Sequence, residues 1–233
     1  MENSLPIPTE SKELFISVNN FVKDYMSHYD ASHDYSHILR VTSNANRILS
    51  SELKANPGLQ YDLTAIFLST YVKTLLQLIY SLLRGLWRAL RVFQAYWSFS
   101  RLLHDVGDHK YAPPGQEIEN QISGILLERG ASKELAEKVQ TIAKYVSYTT
   151  EVKTPHLTKG ALERYPELAI VQDSDRLDAI GAIGVGRCFT YCGAKQEGKP
   201  MQVAIDHYND KLLKLEHMMK VWSTIIRFNI LTY

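Results

Sequence analysis

Apolar positions recur at three- and four-residue steps through most of this chain, the spacing of helices that bury one face. Leu14, Val18, Phe21, Val22 and Tyr25 mark a helix beginning near Ser11. After a polar connection at 30–34, Ile38, Val41, Ala45, Ile48 and Leu49 mark a second from about Tyr35 to Leu53, with His37 near its start. Asn56-Pro57-Gly58 breaks the pattern, and a third helix starts near Tyr61-Asp62-Leu63. Further on, Ile118, Ile122, Ile125 and Leu126 predict a helix over 117–129, with Gly130 as its left-handed stop. Ser132 is placed to cap a helix to about Tyr148 that carries Leu135, Val139, Ile142 and Val146.

Residues 149–165 read as a polar loop, and Pro166 as the first turn of a helix running through Asp175 to about Cys192. Gly181, Gly184 and Gly186 inside it disfavour a helix unless close packing requires them. A last helix is predicted over about 201–220. No alternating strand pattern and no repeat occurs, so the expectation is an all-α protein.

Composition changes this picture little. The chain has 233 residues, is 45% hydrophobic and carries a formal net charge of +1. That suits one sizeable core and gives no general case for nucleic-acid binding. Cys188 and Cys192 are the only cysteines, and Met1-Glu2-Asn3-Ser4 lacks the basic start and apolar run of a secretory signal. The expectation is a reducing cytoplasmic or nuclear setting.

Candidate chemistry changes it more. His104 and Asp105 stand side by side in Leu102-Leu103-His104-Asp105-Val106-Gly107-Asp108. Upstream lies Ser32-His33-Asp34-Tyr35-Ser36-His37-Ile38-Leu39-Arg40-Val41, and downstream Gln172-Asp173-Ser174-Asp175-Arg176-Leu177-Asp178-Ala179. Imidazoles and carboxylates are donors for a divalent first-row metal or Mg²⁺. In this order the motifs resemble the HD-domain metal-dependent phosphohydrolases, and among them the small stand-alone bacterial and fungal type. The resemblance covers most of 10–69 and 102–219.

The resemblance implies an all-α HD-domain helical bundle whose metal ligands come from three separate helices: His37, His104, Asp105 and Asp175. It implies one divalent ion, with Mn²⁺ the first choice and Mg²⁺, Fe²⁺, Co²⁺ or Ni²⁺ compatible with the same donors. The resemblance puts the fourth ligand at the aspartate directly before Arg176-Leu177, which is Asp175. Asp178, three residues on, would share its helix face, and Asp173 would cap or orient the helix. Asp108, three residues after Asp105, is the group to position or deprotonate the attacking water.

Lys110 and Arg40 are the cations available to neutralise phosphate. The competing reading of Arg40 is an ion pair with a core carboxylate. Arg176 reads as structural, and His33, four residues before His37, as a residue supporting a ligand or touching substrate. The implied reaction is hydrolysis of a phosphoester or phosphoanhydride, with a nucleotide as substrate and pyrophosphate release from nucleoside triphosphates preferred. The sequence leaves the oligomeric state open.

Residues 70–101 stand apart. They contain Lys73, Arg84, Arg88, Arg91 and Arg101, two of the three tryptophans, and no acidic residue. In the family a stretch like 62–69 runs almost directly into Leu-Leu-His-Asp. Charges interrupt any membrane-spanning window here. A membrane-surface element and a partner-binding arm compete with translated non-coding sequence, and the last is preferred. Thr70-Tyr71-Val72 can be encoded by a string containing the donor-like GTATGT. Residues 221–233 likewise depart from the family's late charged helix. The second functional reading follows: an HD-fold binding or membrane-surface protein whose site the insertion disturbs.

Overall fold

The computed structural model describes residues 5–27, 35–73, 121–195 and 198–221. His33, His104, Asp105, Asp108 and Lys110, and most of the two atypical stretches, lie outside them. The described residues are helical, with no strand among them. In chain order the helices are α1 (Lys12–Met26), α2 (Tyr35–Ala55), α3 (63–73), α4 (Gln121–Glu128), α5 (Lys133–Tyr145), α6 (Tyr148–Lys153), α7 (Pro155–Arg164), α8 (Glu167–Leu177), α9 (Gly181–Lys195) and α10 (Gln202–Asp210). Single 3₁₀ turns at Leu212–Lys214 and Glu216–Met218 follow. No helix among the described residues is long and apolar enough to cross a membrane.

The predicted stripes form the core. Val18 and Val22 of α1, the α2 stripe, and Val139, Ile142 and Val146 at α5 are buried together with Ile122 and Leu126 of α4. Local signals set the boundaries. Gly130 adopts φ 87°, and the N–H groups of Gly130 and Ala131 reach back to the carbonyls of Leu127 and Leu126, a Schellman stop for α4. The Ser132 hydroxyl accepts the Leu135 N–H at 3.2 Å and caps α5. Asp62 accepts the Ala65 N–H at 2.9 Å and caps α3, while its other oxygen takes Lys138 at 3.1 Å. Lys138 also reaches Glu167 at 2.8 Å, which ties the starts of α3 and α8 together.

Three predicted boundaries need correction. Residues 149–165 are not a loop but the short helices α6 and α7. Their apolar stripe is thin, with only Thr158 and Ala161 of α7 buried and none of α6. The long helix expected over 166–192 is two helices, because the chain turns at 178–180 and Gly181 takes φ 62°. The last helix stops at Asp210 and continues as tight turns.

Gly184 explains the glycine run in part. A Cβ there would lie 2.3 Å from the carbonyl carbon and oxygen of Ala179, whereas one on Gly186 would meet open space. Gly184→Ala is therefore expected to cost about 1–3 kcal/mol, and Gly186→Ala to be neutral or slightly stabilising. Urea unfolding midpoints of the two variants check this.

Candidate metal centre

The site is built where α2 crosses α8. His37 and Arg40 lie three residues apart on α2, and Asp175 and Asp178 three apart at the end of α8, so each pair shares one helix face. Their crossing brings the four side chains together. His37 is buried, and its Nδ1 lies 2.7 Å from Asp178 Oδ2. Arg40 donates from Nε to Asp178 Oδ1 at 2.7 Å and from a terminal nitrogen to Oδ2 at 3.2 Å. Arg187 of α9 closes the ring, 3.0 Å from both the Asp178 carboxylate and its carbonyl. Asp178 thus anchors one imidazole and two guanidiniums while itself only 3% exposed.

This arrangement fixes the state of His37. A carboxylate at Nδ1 holds the proton on that nitrogen and leaves Nε2 as the lone-pair donor. Nε2 faces Asp175 Oδ1 at 3.6 Å. Burial pulls the His37 pKa down to about 3, against the Asp178 hydrogen bond, with Lys73 and Arg187 adding to the fall. The imidazole is neutral at physiological pH, the form that binds metals. Burial alone would raise the Asp178 pKa. The hydrogen bonds from His37 and Arg40, with Arg187 nearby, more than offset it and hold the carboxyl below the usual range.

Lys73, the last described residue of α3, supplies the third wall. It is buried, and its Nζ is in contact with Asp175 Oδ1. Burial pulls its pKa well below the usual lysine value, and Arg187 pushes the same way while Asp178 opposes.

The rest of the Gln172–Asp178 stretch is shared among other neighbours. Gln172 donates to the Tyr145 carbonyl at 2.8 Å. Asp173 accepts the backbone N–H groups of Lys220 and Val221 at 2.9 and 2.8 Å, pinning the chain after the last turn. Arg176 bonds Glu151 and the Met218 carbonyl, away from the site. The resemblance put the ligand at Asp175, with Asp178 sharing its helix face and Asp173 capping or orienting the helix. The structure gives each its own partner, and it turns Asp175 towards His37 Nε2. The Arg40 guanidinium faces Asp178.

Glu151 also takes Lys220 at 2.9 Å. Its pKa is lowered: burial pushes it up, but Lys220 and Arg176 outweigh burial. A carboxylate with a depressed folded pKa contributes its full stability above its unfolded pKa of about 4.3, and loses it as the pH falls through the folded value. Glu151→Gln is therefore expected to cost about 1–2 kcal/mol at pH 7. The gap to the wild type should narrow below about pH 4, read from urea unfolding at both pH values.

The donor types and spacing suit a divalent ion. Two donors each about 2.1 Å from one ion lie roughly 3–3.6 Å apart, as His37 Nε2 and Asp175 Oδ1 do. Among the described residues, no three His, Cys, Asp or Glu side chains are gathered to hold a metal by themselves. His37 and Asp175 are the part of the expected ligand set that falls within them. The Lys73 amino group stands against the same Asp175 oxygen.

The chain has a helical fold like that of a solved HD-superfamily hydrolase, and its likenesses to solved structures are likenesses of fold. It is similar to an HD-superfamily hydrolase from Bacillus thuringiensis at TM-score 0.54 and 22% identity, over 95% of this chain and 90% of that one. It is similar to Bacillus subtilis YpgQ in complex with ADP at TM-score 0.55 and 24% identity, over 94% and 87% of the two chains. A Lactobacillus plantarum protein reaches TM-score 0.61 at 20% identity, over 97% and 92%. In sequence the chain is 36% identical to YpgQ over 123 residues, 51% of this chain. It spans about half, 56%, of the length of this curated relative. No family model matches the chain.

Proposed function

We propose that this fold carries a metal-dependent phosphohydrolase site acting on a nucleotide. The observation that carries the reading is the fixed orientation of His37: Asp178 holds Nδ1–H, and Nε2 faces the carboxylate of Asp175. An imidazole nitrogen and a carboxylate oxygen at this spacing are two donors that one divalent ion can share. His37, His104, Asp105 and Asp175 are the proposed ligands. A divalent ion held by them, Mn²⁺ by first choice, would polarise a phosphoryl oxygen and acidify a bound water.

The chain's own residues orient and hold. Asp178 keeps the His37 ring in one tautomer. Asp108 is proposed to orient water or take its proton, and Lys110 to meet a phosphate oxygen. Arg40 keeps a partly exposed guanidinium, 34% accessible, at the edge of the site while anchored to Asp178. It can therefore present its outer nitrogen to phosphate without leaving its anchor. A nucleotide is supported by the fold likeness to YpgQ in complex with ADP. Pyrophosphate release from a nucleoside triphosphate is the preferred outcome.

The second reading, an HD-fold chain whose site is disturbed, is favoured by one observation: the contact of Lys73 with Asp175. The test uses the full chain beside a version lacking 71–101. Thr70 is kept because its hydroxyl lies 3.0 Å from that of Thr42 in the core. Mn²⁺-dependent release of phosphate or pyrophosphate, abolished by His104→Ala, supports the phosphohydrolase. No release from either chain with any of the five candidate metals would overturn it.

A further inference from the structure

The Thr70–Lys73 turn of α3 faces inward as a unit. Thr70, Tyr71, Val72 and Lys73 are all buried. The Thr70 hydroxyl meets that of Thr42 and the Phe67 carbonyl, and Tyr71 stacks edge-on against Phe15 with ring centroids 4.8 Å apart. These contacts fix the register of the turn, and the register aims the Lys73 stem at α8. Its amino group ends against Asp175 Oδ1, the oxygen that lies 3.6 Å from His37 Nε2. With the His37 proton committed to Asp178, Nε2 and the Asp175 carboxylate are two acceptors facing each other. Lys73 supplies a donor on the Asp175 side of that pair.

Resting on the metal-centre reading above, we propose that Lys73 Nζ occupies the place of the metal ion in this chain, satisfying Asp175 and excluding a divalent cation. A divalent ion bridging Asp175 Oδ1 and His37 Nε2 would compete with the amino group for that oxygen. A protonated amine would add charge repulsion to that competition.

The register explains why a lysine stands there. Removing residues 71–101 joins Thr70 to Leu102 and carries Leu102, Leu103 and His104 into the positions of Tyr71, Val72 and Lys73. Two apolar residues then replace two buried apolar residues, and an imidazole replaces the amino group at Asp175. The genetic code permits this junction, with Thr70-Tyr71-Val72 encoded as ACGTATGTN and Arg101 as AGA or AGG. A GTATGT beginning at the third base of the Thr70 codon leaves AC, and an AG ending at the second base of the Arg101 codon leaves A or G. Together these spell threonine again, in frame. One helix position thus holds a candidate metal ligand without the insert and a metal substitute with it.

The experiment is a Mn²⁺ titration of the full chain followed by electron paramagnetic resonance, for the wild type, Lys73→Met and Lys73→His. Circular dichroism and thermal unfolding report the fold of each. Met keeps the buried stem and removes the amine, and His adds a ligand. The wild type is expected to bind Mn²⁺ at least about 100-fold more weakly than Lys73→His, with Lys73→Met between them. Asp175→Ala in the Lys73→His background should return binding to the wild-type level. Tight wild-type binding that Asp175→Ala weakens would overturn the role of Lys73 and leave the metal centre standing. That titration decides by itself if a Lys73 variant does not fold. Absence of binding in all three folded chains would overturn the metal centre and this inference with it.

Discussion

Asp178→Ala is expected to destabilise the fold by about 3–5 kcal/mol, a large share of the roughly 5–15 kcal/mol that holds a domain together. The reason is what it leaves behind. His37 loses the acceptor of its Nδ1 proton in a buried setting, and Arg40 and Arg187 lose the carboxylate between them. Removing one partner of a buried charged cluster costs far more than the cluster contributes on balance, because the remaining groups keep their desolvation penalty. Asp178→Asn retains one oxygen for the His37 proton, so a smaller loss is expected. Arg40→Ala should cost less than either, since its side chain is partly solvated and Arg187 remains. Urea unfolding of the three variants gives the order. Equal stability of Asp178→Ala and the wild type would remove Asp178 as the organiser of the site.

Asp175→Ala carries the largest expected effect on activity. In the chain lacking 71–101 it is expected to lower Mn²⁺-dependent hydrolysis at least about 10²–10³-fold while leaving the fold intact. Asp175 is 22% exposed at its side chain and, unlike Asp178, anchors no ring of buried cations. The same substitution in the full chain has a different signature. There it strips the buried Lys73 of its carboxylate contact, so it should destabilise the fold, and Lys73→Met should relieve most of that loss. A double-mutant cycle over Lys73 and Asp175, read by unfolding, separates the two roles. A null coupling would mean that the amino group and the carboxylate do not depend on each other.

Much of the fold was legible because its signals are local. The α2 stripe, the Gly130 stop and the Ser132 cap each depend on a few neighbouring residues, and each formed as the sequence predicts. What escaped depends on distant parts of the chain. Helices α6 and α7 bury so little apolar surface of their own that their pattern reads as a loop. The break between α8 and α9 follows from the left-handed Gly181 and the close approach of Gly184 to Ala179. Nothing in the apolar spacing of Leu177 and Ile180 announces it.

The site shows the same division. The sequence offered an ordered set of donors, of which His37 and Asp175 fall within the described residues, and it offered the alternative that Arg40 serves a core carboxylate, the contact it makes with Asp178. The particular partners of Asp173, Asp175 and Asp178 were not legible. On a helix packed on most of its faces, the facing neighbour decides what each aspartate does: the backbone of Lys220 and Val221 for Asp173, and α2 for the other two. Lys73 was read as part of a foreign stretch, 70–101. In the structure the helix runs on through it, and the core gives it a partner.

The central claim is that His37 Nε2 and Asp175 form part of a metal centre. The most direct measurement is pulsed electron paramagnetic resonance of Mn²⁺ bound to the chain lacking 71–101, with histidine labelled by nitrogen-15. The expected result is one Mn²⁺ per chain with histidine nitrogen coupling that weakens in His37→Ala and an affinity that falls in Asp175→Ala. Mn²⁺ bound without nitrogen coupling, or coupling unchanged by His37→Ala, would contradict it.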